Sequence, residues 1–392
     1  GLNMAWVERY RDKKIECMSR DEMAVLQSER LVKQVANVYE NVAFYNKKMK
    51  ELGVEPGDIK GIEDINKLPF TTKEDLRDNY PFGLLAVPKS QIARVQGTSG
   101  TTGKLTLMSY TANDTELWGE CVARCMTMAG LTEEDIIHNC YGYGLFTGGP
   151  GLNGGSHKVG CLTVPMSSGN TDRQLQFMTD LQSTILCCTP SYAAYLGETI
   201  EEKGLKNQIK LKAGIFGAEA WTEEMRRDIQ EKLGIKAYDI YGLTETSGPG
   251  VAFECEEQTG MHINEDHFLC EIIDSNSLSV LDKGATGELV VTNLTKRGLP
   301  ILRYRTKDIT NINYDACKCG RTSARMHKII GRSDDMIKVR GVNVFPSQVE
   351  SALIVMTEIS PNYLIVLRRE NYSDSMEVRV ELIDGSLLDR YG

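Results

Sequence analysis

No run of about eighteen apolar residues occurs in this 392-residue chain, so the sequence offers no membrane span. The opening stretch GLNMAWVERYRDKKIE lacks the apolar centre of a secretory signal. Internal repeats and low-complexity segments are absent too. Positive charge is in the minority: 45 Lys and Arg stand against 54 Asp and Glu, a formal charge of −9. Nucleic acid and anionic membranes select basic surfaces, so neither is an expected partner. A small anionic ligand remains admissible, because its site needs only a few donors. A disulfide framework is also missing. The 11 cysteines are odd in number, and Cys187 and Cys188 are adjacent. Scattered thiols in a chain this long point to a reducing, cytoplasmic setting, with buried thiols and room for a metal site.

What is present is globular in character. Hydrophobic residues make up 41% and charged residues 25%, in a length that suits about two or three domains of ~150 residues each. Within residues 18–51, Met23, Leu26, Leu31, Val35 and Val38 recur at helical spacing behind a capping Ser19, which predicts one helix. Thr72 opens a short helix that stops at Pro81. From Thr111 onward helices and strands alternate as far as Gly242, interrupted by the Gly-rich segment YGYGLFTGGPGLNGG. Such alternation predicts an α/β fold, with a wound and largely parallel sheet flanked by helices. From about 266 to 331, short strands between turns predict a small β unit; beyond it, 332–392 reads as a small α+β domain. The expected organisation is a large N-terminal domain, 1–331, and an incomplete C-terminal domain.

The stretch GTSGTTGKLTLMSY, residues 97–110, has the look of a phosphate cradle. A P-loop requires Gly, four residues, Gly-Lys-Ser/Thr and then a helix. Here Thr98 replaces the first glycine, Leu105 replaces the hydroxyl residue, and LTLMSY alternates like a strand. A P-loop kinase or GTPase is disfavoured. The loop still suits phosphate. Ser99, Thr101 and Thr102 offer hydroxyls, Lys104 adds charge, and Gly97, Gly100 and Gly103 let N–H groups face an anion. Taken alone, a cradle and a flexible hairpin turn describe it equally well.

Three other stretches shift that balance. TSGTTGK, IYGLTE (240–245), RYRTKD (303–308) and GRSDDMIKVRGVNVFPSQVE (331–350) resemble, in order, four signatures of the acyl-adenylate-forming superfamily, which includes acyl- and aryl-CoA synthetases. TTKEDLRDNYPFG, YGYGLFTGG, GIFGAEAW, YGLTETSGPGVAFEC and RGVNVFPSQVE narrow the resemblance to phenylacetate–CoA ligases, from about Ser19 to the end of the chain. The resemblance implies an enzyme of phenylacetate catabolism that joins an aryl or arylacetic acid to coenzyme A. An acyl-adenylate is its intermediate, with AMP and pyrophosphate released. ATP, Mg²⁺ and CoA are the implied cofactors and co-substrates, and a homodimer is compatible.

Roles follow position by position. Thr244 and Glu245 end a strand where ligands of open α/β sheets gather. A carboxylate beside a triphosphate needs a cation between them, so Glu245 suits Mg²⁺. Thr244 suits either an α-phosphate or the substrate carboxylate. By resemblance, Gly100, Gly103 and their neighbours hold phosphate, while Gly217, Ala218 and Glu219 shape the adenine pocket, with Gly217 also facing the aryl acid. The resemblance extends nucleotide contact to Asp239, Tyr241, Gly242 and Arg332, and gives Asp308 the ribose hydroxyls. Arg303 or Arg305 could instead hold Asp308 in a structural ion pair. Tyr141, Tyr143 and Phe146 are the implied lining of the aryl-acid pocket. Asn153-Gly154 is smaller than the family segment leads one to expect, which admits a different or larger acid. Asp334 is the implied hinge about which the mobile C-terminal domain turns, and Gly341 the point where the pantetheine thiol passes.

A separate set of soft ligands comprises Cys255, His262 and the pair Cys317 and Cys319, followed by Gly320. Together they would complete a closed, structural Cys₃His zinc site. Cys270 and His267 compete for the same places. One expected part is lacking. The family carries a lysine near its C-terminus for the adenylation step, whereas this chain ends LIDGSLLDRYG. A truncated chain explains this better than a degenerate ligase. Two other functions remain in view: a nucleotide or acyl-ligand sensor of the same fold, and an adenylating enzyme that charges a carrier-protein thiol.

Overall fold

The computed structural model describes residues 9–99, 105–335, 337–340, 342–371 and 373–388. Its spine is a nine-stranded sheet. Five strands run parallel in the order β4 (Leu162–Pro165), β3 (Ile136–Asn139), β5 (Ile185–Cys188), β6 (Ala213–Phe216) and β7 (Lys236–Leu243). Helices cover this half, and β5 and β6 are buried along their whole length, as apolar runs between two helical layers must be. The other half is antiparallel. After β7 come β8 (Gly248–Glu254), β9 (Met261–Ile263), β14 (Arg325–Met326) and β13 (Ile312–Asn313). The sheet is therefore mixed rather than largely parallel. The reason is local: Gly248 follows β7 after a single turn, too short for a crossover helix, so the chain must fold back.

A second sheet has four antiparallel strands, β10 (Phe268–Ile273), β11 (Gly287–Asn293), β12 (Tyr304–Thr310) and β15 (Gly331–Arg332). The stretch 266–331 is thus divided, because β13 and β14 join the large sheet. The hairpin of β1 (Ile92–Ser99) and β2 (Leu105–Thr111) stands apart from both. Beyond β15 lie a two-stranded ribbon, the helix Pro346–Ile354 and a long hairpin, Ile359–Glu370 with Ser373–Leu382.

Capping chemistry sets several boundaries. Ser19 accepts the Glu22 N–H, and capping boxes of Thr72 with Asp75 and Thr111 with Asp114 open the helices Lys73–Asp78 and Ala112–Met128. The helix Glu223–Leu233 ends at Gly234, whose φ of 65° is the left-handed value a C-cap requires. Two expectations fail. The single helix over 18–51 is two, Arg20–Asn41 and Ala43–Glu51, split by an extended Val42. The Asn41 amide bonds the Asn37 carbonyl, so side-chain bonding competes with the last turn. The Gly-rich segment contains a helix, Gly148–Val159. Its glycines allow close approach: a Cβ on Gly155 would lie 2.3 Å from Val122, and one on Gly151 would lie 2.7 Å from Trp118. Packing therefore outweighs the helix-breaking tendency of glycine.

Candidate active site

The strands β6 and β7 end side by side and deliver two turns to one edge of the sheet. After β6, Gly217 passes so close to β7 that a Cβ there would lie 2.4 Å from the Ile240 carbonyl oxygen. Ala218 then takes a left-handed φ of 73°. After β7, Thr244–Thr246 forms a single 3-10 turn that buries Thr244 and Glu245. A cleft opens over both turns in two lobes, which share Ala218, Gly242, Asp308 and Arg332. One lobe, about 540 Å³, also meets Lys73, Thr98, Tyr141, Phe146, Thr244, Glu245 and Pro249. The other, about 410 Å³, meets Glu219, Asp239, Tyr241 and, from the C-terminal part, Pro346 and Glu350.

Asp308 is free of its neighbouring arginines. Arg303 pairs with Glu271 at 2.8 Å and Arg305 with Glu288 at 2.8 Å. Asp308 instead accepts the Tyr241 phenol across 2.5 Å, and Arg332 stands 3.7 Å away. Burial pushes its carboxyl up to about 6, against the opposing pull of Tyr241 and Arg332. Arg332 also forks onto Asp334, at 3.0 and 3.1 Å. Asp239 faces the smaller lobe, with Lys328 Nζ 3.4 Å from its carboxylate. Glu219 accepts the Ser191 N–H and hydroxyl, at 3.0 and 2.7 Å, near the start of the helix Pro190–Glu202.

The aromatic residues divide. Tyr141 bridges two strand ends, donating to the Cys188 carbonyl at 2.6 Å and accepting the Gly217 N–H at 2.8 Å. Phe146 is exposed along the larger lobe. Tyr143 turns away: its hydroxyl meets Asn139 and Asn153, and it lines a separate cavity of about 620 Å³. Asn153 and Gly154 line that second cavity as well, so their small size does not enlarge the cleft.

Residues 100–104, which include Gly100, Thr101, Thr102, Gly103 and Lys104, lie outside the described residues, as does Gly341. The Gln96 amide nitrogen lies 2.8–3.0 Å from the carbonyls of Gly144, Leu145 and Phe146, tying β1 to the aromatic segment. Ser99 ends β1, its backbone paired with Leu105.

Two site residues escaped the sequence reading. Lys73 reaches into the larger lobe, with Nζ 3.9 Å from Glu245 Oε1. Its signal was its place in TTKEDL, at the first position of a capped helix. Thr98, noticed only as an obstacle to a P-loop, lines the same lobe with a buried hydroxyl that has no partner among the described residues.

Just after β8 and on β9 the four soft ligands meet. Donor atoms of Cys255, His262, Cys317 and Cys319 all lie within 4.8 Å of one another, and all four residues are buried. Cys255 Sγ is 3.7 Å from Cys317 Sγ, and Cys319 Sγ is 3.5 Å from His262 Nε2. Zinc–sulfur bonds of about 2.3 Å at tetrahedral angles require sulfurs about 3.8 Å apart. Ser323 engages His262 Nδ1 at 2.9 Å, which leaves Nε2 facing the sulfurs. Hydrogen bonds from Cys255 and Cys319 hold the Cys317 thiol far below its ordinary range. Cys270 and His267 lie elsewhere; His267 contacts Asp266 and Thr295.

Known proteins resemble this chain in sequence and fold. An AMP-binding enzyme model matches residues 24–295, and an AMP-binding enzyme C-terminal domain model matches 341–391. A phenylacetate-coenzyme A ligase of Thermus thermophilus is 48% identical over 370 residues, 94% of this chain and 83% of its own length. One from Escherichia coli is 46% identical over 376 residues, 95% of this chain and 85% of its own. Among solved structures, a 2-hydroxyisobutyryl-CoA ligase in the postadenylation state with 2-HIB-AMP aligns at a TM-score of 0.91 and 28% identity, over 98% of this chain and 84% of that one. The same ligase in its thioesterification state aligns at 0.80.

Proposed function

The chain belongs to the AMP-binding, acyl-adenylate-forming enzymes, in the phenylacetate–CoA ligase family, and from that premise we propose that its cleft activates an aryl or arylacetic acid. The chain is an AMP-forming acid–CoA ligase: ATP and the acid give an acyl-adenylate, and coenzyme A then takes the acyl group. One observation carries the choice of acid. The lobe that holds Thr244 and Glu245 is walled by Tyr141, Phe146 and Pro249, so a flat apolar acid would present its carboxylate to the polar turn.

In this reading Asp308 accepts the ribose hydroxyls, and Ala218, Glu219 and Tyr241 bound the adenine lobe. Asp239 contributes shape rather than free charge, given the nearby Lys328. Thr244 and Lys73 face the phosphates, so charge developing at the α-phosphorus meets donors already in place, and residues 100–104 are assigned to phosphate by their sequence alone. Glu245 is the residue suited to hold Mg²⁺, which when bound would neutralise phosphate charge. No protein nucleophile is needed, and none of the thiols enters the chemistry. We place the boundary of the C-terminal domain at 331/332, with Asp334 as hinge and Arg332 released from it as that domain turns. Cys255, His262, Cys317 and Cys319 form a structural zinc site that ties β9 to the knuckle before β14, with no open position for substrate.

The test is ATP–pyrophosphate exchange with a panel of aryl and arylacetic acids, followed by acyl-CoA formation with free CoA as the only thiol. Exchange that depends on an aryl acid supports the proposal. Exchange only with aliphatic acids overturns the choice of acid, and exchange without acyl-CoA points to a carrier thiol.

A further inference from the structure

Behind the catalytic turn lies an amine with no role in the chemistry above. Lys296 is 5% exposed, and its Nζ has no hydrogen-bond partner among the described residues. It lies 4.1 Å from the centroid of the Tyr110 ring. Tyr110 stacks on Trp118, with centroids 5.2 Å apart and planes 16° from parallel. Lys296, Trp118 and Ser247 border one small pocket of about 30 Å³. A buried ammonium without a carboxylate partner is costly, and an aromatic face is a weak substitute for water.

Its contacts can be followed atom by atom. The Trp118 indole N–H donates to the Pro249 carbonyl at 2.8 Å. The same ring is wedged against the turn: a Cβ on Gly248 would lie 2.6 Å from it. Pro249 is a wall of the larger lobe, and the backbone from Thr244 leads directly to it through Ser247, which holds a φ of 92°. We propose that Lys296 is a positioning residue: its ammonium holds the Tyr110–Trp118 stack, and through it Pro249 and the acid-binding wall, so loss of that charge loosens the acid pocket. This rests on the assignment of the Tyr141–Phe146–Pro249 lobe to the acid.

The surrounding groups leave Lys296 as the one that changes charge in mildly alkaline solution. Burial pulls its pKa down to about 8. From the helix Ala112–Met128, Asp114 faces it, with a carboxylate that accepts N–H groups of Thr111, Arg297 and Gly298. Cys121 on that helix and Tyr110 on β2 are both pushed well up by burial. His267, before β10, is pulled down by burial despite the Asp266 charge. Arg94 of β1 lies over the Trp118 ring at 5.4 Å.

The experiment pairs a spectroscopic reading with a kinetic one. Trp118 fluorescence, isolated by difference against Trp118→Phe, is followed from pH 6.5 to 10 in the parent, Lys296→Met and Lys296→Arg. A step near pH 8 is expected in the parent and in neither variant. Across the same range the KM for the acid should rise about three- to ten-fold in the parent while kcat holds, the scale of one cation–π contact. Lys296→Arg should keep the low KM throughout, and Lys296→Met the high one. A fluorescence step that persists in Lys296→Arg, or no step in the parent, overturns the proposal. A step that follows Lys296 without any change in KM keeps the stack assignment and overturns its link to the acid pocket. If Lys296→Met does not fold, Lys296→Arg still decides, because it retains the cation and loses the titration.

Discussion

Tyr241 and Asp308 join the two sheets: a phenol on β7 donates across 2.5 Å to a carboxylate on β12. The contact lies where the lobes of the cleft meet, so the proposed nucleotide site is built on the seam between the α/β body and the smaller β sheet. A ligand that bonds Asp308 therefore bridges both.

If Asp308 accepts the ribose hydroxyls as proposed, it should set a pH limit on nucleotide binding. Burial raises its pKa to about 6, so protonation begins within reach of ordinary assays. The KM for ATP should climb as pH falls through 6, with kcat less affected. Asp308→Asn should raise KM about ten- to hundred-fold at pH 7.5, the scale of one or two hydrogen bonds to a charged acceptor, and flatten the acid limb. The stability effect has the opposite sign. A carboxyl whose folded pKa lies above its unfolded one stabilises the fold below the unfolded value, and that stability is lost as pH rises through the folded value. Asp308→Asn should therefore raise the melting temperature of the ligand-free protein at pH 7 but not at pH 4. Unchanged ATP dependence in the variant would remove the ribose role.

Lys73 should matter for adenylation and little for thioester formation. Its ammonium stands 3.9 Å from Glu245, beside the Thr244–Glu245 turn at which the acid carboxylate and the phosphates are proposed to meet. Lys73→Met removes one charge-assisted contact, so exchange should slow about ten- to hundred-fold. Transfer to CoA from a preformed adenylate should fall less than three-fold. Equal losses in both half-reactions would make Lys73 a general structural residue.

Much of this site was legible in the sequence because its turns are chemically constrained. IYGLTE and GIFGAEAW combine glycines near strand ends with polar side chains at one sheet edge, and RYRTKD brings Asp308 to the same cleft from the second sheet. Asp308 could not be separated from Arg303 and Arg305 in one dimension; their partners, Glu271 and Glu288, lie on other strands. The helix Gly148–Val159 was hidden for a related reason. Local propensity opposes it, and what favours it is the close approach of Trp118 and Val122 from another helix. Tyr143 shared its segment with Tyr141 and Phe146, and only the backbone path shows that it faces another cavity. Lys296 gave no signal at all, since an LTK turn reads as solvent-exposed until Tyr110 is placed beside it.

The Cys₃His cluster should hold about one zinc per chain. Elemental analysis of protein grown with ample zinc is the direct measure, and Cys317→Ser should lower the content to near zero. Because metal affinity is part of the folding free energy, that variant should also melt several degrees lower. Since none of the four residues lines the cleft, the KM for ATP of the folded variant should stay within about two-fold of the parent value. Zinc well below one per chain, or an unchanged melting curve in Cys317→Ser, would count against the site.

Adjacent glycines of the helix Gly148–Val159 should respond oppositely to the same substitution. Alanine removes the entropic disadvantage of glycine in a helix, about 1 kcal/mol in either case. At Gly154 the nearest atom to a new methyl is the Gly119 Cα, 4.0 Å away, so the methyl fits without displacement. Gly154→Ala should therefore stabilise the protein by up to about 1 kcal/mol. At Gly155 the methyl would lie 2.3 Å from Val122 Cγ1 and 3.0 Å from the Val122 backbone carbon. The helices must separate, and overpacking of this kind costs about 1–3 kcal/mol, enough to cancel or exceed the gain. Gly155→Ala should thus be neutral to destabilising, and Gly155→Val clearly destabilising. Urea midpoints at constant m-value measure the contrast. If both alanine variants stabilised the protein equally, the close packing of these two helices would not be what selects glycine there.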